Sequence, residues 1–259
     1  MESCGRLPGP RECHVWFVEL AGNDASLGAC WGCLSADEKE RAAQFRVEPP
    51  RTAFTLARGI LRVLLGRYLA TEPDRLRFAY GTRGKPRLAF PDAPLAFNVS
   101  HSGRFAAYAF AVGCDPGVDI EEVRPMADQE NIVRRFFSAG ECAAWLALDA
   151  GQRDEAFFRC WSRKEAYIKA LGAGLSMHLD GFQVSLRPEE PARLIHVAGD
   201  AGAAQRWSLH SLAPAEGYVG ALALPERDSG VRIMPRLTAD GVWEMARGVA
   251  EFPPAAQSG

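Results

Sequence analysis

The chain has 259 residues, 47% hydrophobic and 24% charged, enough apolar material for a real core and unlike collagenous or disordered sequences. Thirty Lys and Arg against 32 Asp and Glu leave a formal net charge of −2, which removes the general polyanion attraction of a nucleic-acid binder. Any anion must therefore be met by local charge.

The N-terminal stretch carries Arg6, Pro8, Pro10, Arg11 and Glu12 before a short apolar run from His14 to Leu20, so no secretory segment is expected. Other apolar runs, such as Phe105 to Val112, fall short of the ~20 residues of a membrane span. A soluble, cytoplasmic protein without nucleic-acid or membrane partners is the expectation. Seven cysteines, mostly placed singly, read as reduced thiols. Cys30-Trp31-Gly32-Cys33 has the spacer of a zinc clamp or redox pair, yet no second pair completes a four-ligand site. It reads as reduced thiols in a loop or short helix.

Residues 13–20 form a buried strand by their β-branched and aromatic content. Ser35-Ala-Asp-Glu38 is a capping box that starts a helix from Ala36 to Phe45. Pro49-Pro50 breaks the chain before a long helix from Thr52 to Leu69, with Arg51, Thr55, Arg58 and Arg62 aligned on one face. Strands are expected at 76–80, 94–100, 105–112 and 117–123. Helices follow over 130–137, from the capping box Ser138-Ala-Gly-Glu141 to near Gly151, and over 155–171, where Gly172 ends the last. Strands then fit 182–186, 193–197, 207–212 and 218–224, and Glu251 to Gly259 reads as a frayed tail. Each half has a long helix and a late hairpin, so two similar α+β units with a cleft between them are expected.

Gly117-Val118-Asp119-Ile120-Glu121 alternates, which places Val118 and Ile120 toward a core and Asp119 with Glu121 on the other face. An isolated Asp-x-Glu is ordinarily a solvated strand face. Two carboxylates this close need a cation, a shared proton or open water, and buried neighbours favour the cation. In Trp161-Ser-Arg-Lys164-Glu165-Ala-Tyr-Ile-Lys169, Trp161, Glu165 and Lys169 share one helix face. A surface Glu-to-Lys pair is common. The chain, however, has only four lysines (Lys39, Lys85, Lys164, Lys169) beside 26 arginines, and retains two of them here. Lysine offers a compact ammonium that can reach a phosphate oxygen or give up a proton, which guanidinium does poorly.

Gly81-Thr82-Arg83-Gly84-Lys85-Pro86 lacks the spacing of a Walker loop but makes a tight cationic turn. Asn98-Val99-Ser100-His101-Ser102 offers small polar groups and one imidazole as an anion cradle. Ser and His adjacent on a strand point to opposite faces, so they form no nucleophilic dyad. His14, His178, His196 and His210 form no ligand cluster.

Taken in order, Gly-Lys-Pro, Asn-x-Ser-His-Ser, Gly-x-Asp-x-Glu and Trp-x-x-Lys-Glu-x-x-x-Lys resemble the phosphopantetheinyl transferases of the larger surfactin type. The resemblance extends from Glu38-Lys-Glu-Arg41 to about Leu224. It implies an α+β fold: a pseudo-dimeric monomer of two similar α/β subdomains, residues 1–113 and 114–225, with the metal site at their interface and 226–259 as an extension or tail. It also implies an enzyme of the holo-[acyl-carrier-protein] synthase type. Such an enzyme moves the phosphopantetheine arm of coenzyme A onto a serine of an acyl or peptidyl carrier protein, with Mg²⁺ held by Asp119, Glu121 and Glu165.

On that template Glu165 takes the serine proton, directly or through a water held by Glu121, and Lys169 stabilises or protonates the leaving phosphate. Arg41, Lys85 and His101 match phosphate-contacting positions, Asn98 and Ser100 line the same turn, and Asp119 and Lys169 also meet the coenzyme. Arg58 and Thr55 rest mainly on the basic helix stripe. Glu38 stands where many relatives have Lys or Arg. Two other readings remain: a non-catalytic coenzyme A or carrier-protein binding module, and another Mg²⁺-dependent phosphoryl or nucleotidyl transferase.

Overall fold

The computed structural model describes residues 6–81, 84–172, 177–225 and 229–248, so Thr82, Arg83 and the segment Glu251 to Gly259 lie outside the described residues. The first half of the chain runs β1 (Glu12–Glu19), α1 (Asp24–Cys33), α2 (Ala36–Ala43), α3 (Glu48–Leu69), β2 (Arg77–Tyr80), β3 (Pro86–Phe90), β4 (Leu95–Ser102) and β5 (Phe105–Val112). The second runs β6 (Gly117–Glu122), α4 (Gln129–Phe136), α5 (Ala139–Leu146), α6 (Ala150–Leu171), β7 (Phe182–Val184), β8 (Leu194–Val197), α7 (Ala203–Arg206), β9 (Ser208–Leu212) and β10 (Tyr218–Leu224). The chain ends in β11 (Gly230–Ile233), β12 (Leu237–Thr238) and α8 (Ala239–Ala246). Among the described residues no helix is long and apolar enough to cross a membrane.

Period-two patterning builds a four-layer stack, helix on sheet on sheet on helix. A five-stranded sheet has the order β11-β1-β5-β4, with β12 also on β1; a three-stranded sheet has the order β6-β10-β9. Trp16, Val18, Tyr108 and Phe110 turn one face of the larger sheet to Leu56, Ile60 and Leu64 of α3. The opposite face presents Val15, Phe17, Ala107 and Ala109 to Val118, Ile120 and Leu222 of the smaller sheet. Its far face, with Ala221 and Ala223, lies under Ala166 and Ala170 of α6. Each half is thus a 22-residue helix against an antiparallel sheet. Alanine at the contact faces lets the layers approach.

Residues 230–246 return to the first half. β11 and β12 pair parallel with β1, Trp243 Nε1 donates to Cys30 Sγ at 3.3 Å, and Arg67 donates to the Met245 carbonyl at 2.8 Å. The larger sheet is therefore assembled from both ends of the chain.

Several boundaries differ from expectation. Pro49 and Pro50 do not precede α3 but sit in its first turn, where a missing N–H leaves nothing unsatisfied. α5 stops at Leu146, and Gly151 opens α6 instead of ending α5, because Asp149 is the α6 N-cap. The aligned basic stripe on α3 divides: Arg62 is fully buried, donating to Glu38 Oε2 (2.7 Å) and to the Pro73 and Leu76 carbonyls. Cys30 and Cys33 are buried reduced thiols on α1, with burial pushing their pKa up to about 11 and about 12. Thiolate chemistry is thereby suppressed at both.

Candidate functional site

The two sheets meet where β4 lies beside β6, and the acidic strand face opens toward α6. Gly117 makes the approach possible: a Cβ there would stand 2.0 Å from the Ala166 carbonyl oxygen and 2.4 Å from the Ala170 nitrogen. β6 thus crosses directly on the α6 backbone. Along residues 161–170 of α6, Trp161, Glu165 and Lys169 alone are half-buried while the others are buried, so one stripe of the helix faces the seam.

Asp119 is the centre of the arrangement. It is 4% exposed; its Oδ1 accepts from Lys169 Nζ at 2.6 Å and from Ser100 Oγ at 2.8 Å, while its Oδ2 is buried without a hydrogen-bond partner. Lys169 Nζ also donates to Ser100 Oγ (3.1 Å) and the Val118 carbonyl (3.2 Å), which occupies all three of its protons. Burial and then the Asp119 charge push Glu121 up to about 7, and the same two causes in the same order raise Glu165. Both flanking acids therefore feel Asp119. Ser102 Oγ donates to Glu121 Oε2 at 3.0 Å.

The donor set suits a hard divalent cation: three carboxylates, one with a buried oxygen left unpartnered. Among the described residues, no group of three His, Cys, Asp or Glu side chains is gathered closely enough to hold a metal as it stands. The Lys169 ammonium takes Asp119 Oδ1.

The remaining sequence-nominated residues fall into two groups. Lys85 reaches α6, donating to the Lys169 carbonyl at 2.7 Å and lying 4.0 Å from Asp115. His101 is on the solvent side of β4; desolvation and then Lys169 lower its pKa while Asp119 opposes them. Asn98 and Ser100 spend their side chains on β6: Asn98 Oδ1 accepts the Val118 N–H at 2.9 Å and Ser100 Oγ the Ile120 N–H at 3.4 Å. These residues gather around Asp119 and the end of α6.

Arg41 and Arg58 form the second group, with their guanidinium carbons 5.7 and 5.8 Å from the Phe54 ring centroid. Arg41 is exposed. Arg58 is largely buried, 3.6 Å from Glu38 Oε1, and its Nη1 is a buried donor without an acceptor. Thr55 donates back to the Arg51 carbonyl. Glu38 is wholly buried in its capping box and beneath Arg62, so it faces the interior rather than a ligand. The β2–β3 hairpin joins the groups, with Phe78 under Arg58 at one end and Lys85 against α6 at the other.

Lys164, read from sequence beside Lys169 as a phosphate-reaching ammonium, is instead fully buried. It pairs with Glu141 at 2.8 Å and donates to the Leu179 and Phe182 carbonyls. Five helix positions at about 100° each set the two lysines about 140° apart, so only one of them faces the seam. Two residues take parts that the sequence reading did not give them: Ser102, read there only as part of the anion cradle, holds Glu121, and Gly117, read only as the start of Gly-x-Asp-x-Glu, lets β6 onto α6. The period-two spacing of Asn98, Ser100 and Ser102 carried the signal for the first; nothing local signals the second.

Two cavities among the described residues lie away from the acidic seam. A cavity of about 460 Å³ lies between α1 and α3 near Trp31, and one of about 350 Å³ lies between Pro86, Phe97 and Asp115. Neither is lined by Asp119, Glu121 or Glu165.

The raised Glu121 pKa fixes the sign of a pH effect. The folded state holds a proton that the unfolded chain releases, so the group costs nothing below about 4.5, costs progressively more up to about 7, and the full amount above. Glu121→Gln is expected to raise the melting temperature by a few degrees at pH 8 and not at pH 4.5. Equal shifts at both values, by calorimetry, would assign the change to packing.

Comparison with known proteins identifies the family. The family profile described as "4'-phosphopantetheinyl transferase superfamily" matches residues 115–223, and that described as "4'-phosphopantetheinyl transferase, N-terminal" matches 23–112. The chain is 39% identical over 215 residues to the 4'-phosphopantetheinyl transferase HetI of Nostoc sp. strain PCC 7120, covering 82% of this chain and 87% of that one. It is 31% identical over 179 residues to the putative 4'-phosphopantetheinyl transferase slr0495 of Synechocystis sp. strain PCC 6803, covering 69% and 71%. To the 4'-phosphopantetheinyl transferase Sfp of Bacillus subtilis strain 168 it is 35% identical over 158 residues, covering 60% and 68%. With one relative matched along most of both chains and profiles covering both halves, the chain belongs to the 4'-phosphopantetheinyl transferase superfamily.

Proposed function

We propose that this chain transfers the 4'-phosphopantetheine arm of coenzyme A to a serine of an apo acyl or peptidyl carrier protein, in a Mg²⁺-dependent reaction of the holo-[acyl-carrier-protein] synthase type. The observation that carries the reading is Asp119 lying between two acids of raised pKa and in contact with Lys169 at the junction of the sheets. On this reading residues 1–113 and 114–225 are the two subdomains, with 226–259 as the extension, and the protein acts as a cytoplasmic monomer.

Asp119, Glu121 and Glu165 would hold the cation, which when bound supplies positive charge to the coenzyme A pyrophosphate and to the departing adenosine 3',5'-bisphosphate. Glu165 takes the proton from the incoming serine hydroxyl, directly or through a water held by Glu121. Lys169 exchanges one of its three present acceptors for a phosphate oxygen and donates a proton or charge as that group leaves. Lys85, His101, Asn98, Ser100, Arg41 and Arg58 serve coenzyme binding. The buried, unpartnered Arg58 Nη1 supports an anion at that end.

Incubating apo carrier protein with coenzyme A, Mg²⁺ and this protein tests the reading by mass: a phosphopantetheine gain is expected. A stable complex without that gain would favour a binding module, and nucleotide turnover without carrier protein would favour another phosphoryl transferase. Lys169→Ala is expected to lower kcat more than it raises KM for coenzyme A, because its charge matters most as the leaving group separates. A change in KM alone would make Lys169 a binding residue.

A further inference from the structure

Resting on the transfer reading above, we infer that Ser102 is a positioning residue for Glu121, the last rung of a side-chain ladder by which β4 sets the acidic strand. The edge of β6 turned away from β10 does not pair with backbone. Its N–H groups at Val118, Ile120 and Glu122 donate to Asn98 Oδ1, Ser100 Oγ and Ser102 Oγ at 2.9, 3.4 and 3.1 Å. The partners stand 20 residues apart at each rung, so β4 and β6 run in the same direction in fixed register.

Each serine hydroxyl has one proton to give, and each gives it to the carboxylate preceding the N–H it accepts. Ser100 donates to Asp119 Oδ1 at 2.8 Å and Ser102 to Glu121 Oε2 at 3.0 Å. One small side chain thus sets both the strand register and the direction of an acid. Asp119 is held a second time by Lys169, but among the described residues Ser102 is the one group that hydrogen-bonds Glu121. The period-two spacing of Asn98-x-Ser100-x-Ser102 is what the ladder requires, because strand repeats on both sides must match.

The test compares Ser102→Ala and Ser102→Thr with the wild-type full chain. Mn²⁺ binding in the presence of coenzyme A is measured by titration calorimetry, and the Mg²⁺ half-saturation of transfer is measured alongside. Losing an orienting partner of a metal ligand weakens affinity by roughly 10–100-fold. The alanine variant is expected to bind Mn²⁺ about tenfold more weakly, need correspondingly more Mg²⁺ and recover most of its kcat at saturation, with threonine restoring both constants. Ser102→Cys keeps the volume but donates weakly, and reads the same quantity if the alanine variant does not fold.

Wild-type Mn²⁺ affinity and Mg²⁺ requirement in Ser102→Ala, or in Ser102→Cys where that variant stands in for it, would overturn the inference alone. So would a threonine variant as impaired as alanine. Absence of Mn²⁺ binding by the wild-type protein, or binding indifferent to Asp119→Ala, would overturn the metal reading and this inference with it.

Discussion

Asp119→Ala is expected to all but abolish phosphopantetheine transfer, a fall of about 10²–10³-fold in kcat, by analogy with loss of a principal charge-stabilising group. Through Oδ1 the side chain holds the Lys169 ammonium and the Ser100 hydroxyl together, and it keeps Oδ2 buried without a hydrogen-bond partner. Burial is the main cause that raises Glu121 and Glu165, and removal of Asp119 relieves the second, its repulsion, so both carboxyls move part of the way back and the field around the candidate base changes with the candidate ligand. Asp119→Asn keeps the volume and separates charge from packing. Carrier-protein mass gain at several Mg²⁺ concentrations, with a melting curve for each variant, reads the effect. Wild-type rates in a folded Asp119→Ala protein would remove the metal assignment.

Gly117→Ala is expected to have the second-largest effect, on stability and activity together. The added methyl would meet the Ala166 carbonyl and the Ala170 nitrogen, both helix backbone that cannot rotate aside. Overpacking of this kind costs typically 1–3 kcal/mol, or about 2–4 °C of melting temperature per kcal/mol in a protein of this size. The larger consequence is geometric. β6 and α6 must separate, moving Asp119 away from Glu165 and Lys169, and small displacements of reacting groups cost activity steeply. A calorimetric melt and a steady-state assay on the same sample check both parts. A variant with wild-type activity and stability would show that the strand and helix can part without disturbing the site.

Much of the fold was legible because it follows from short-range rules. The capping boxes at Ser35 and Ser138 form with the expected Glu38 and Glu141 reciprocals, and the apolar strand patterns at β1, β5 and β10 match the strands observed. β3, β11, β12 and α8 were not anticipated. β3 and β11 are short and largely exposed, and the parallel pairing of β11 and β12 with β1 depends on a partner more than 200 residues away. The division of the α3 stripe was equally hidden. Arg58 and Arg62 share a face in sequence, but only packing against Glu38 and the Leu76 segment decides which of them is consumed internally.

From the order of its residues alone, the chain determines that Asp119 and Glu121 share a strand face, that Trp161, Glu165 and Lys169 share a helix face, and which family motifs they belong to. Those are consequences of backbone periodicity, which acts over a few residues. The tertiary structure decides that these two faces meet, that Lys169 rather than Lys164 reaches Asp119, that Glu38 is interior, and that Ser102 hydrogen-bonds Glu121. These outcomes depend on the closeness of β6 to α6 at Gly117 and on the register of β4 against β6, distances set by packing between segments remote in sequence.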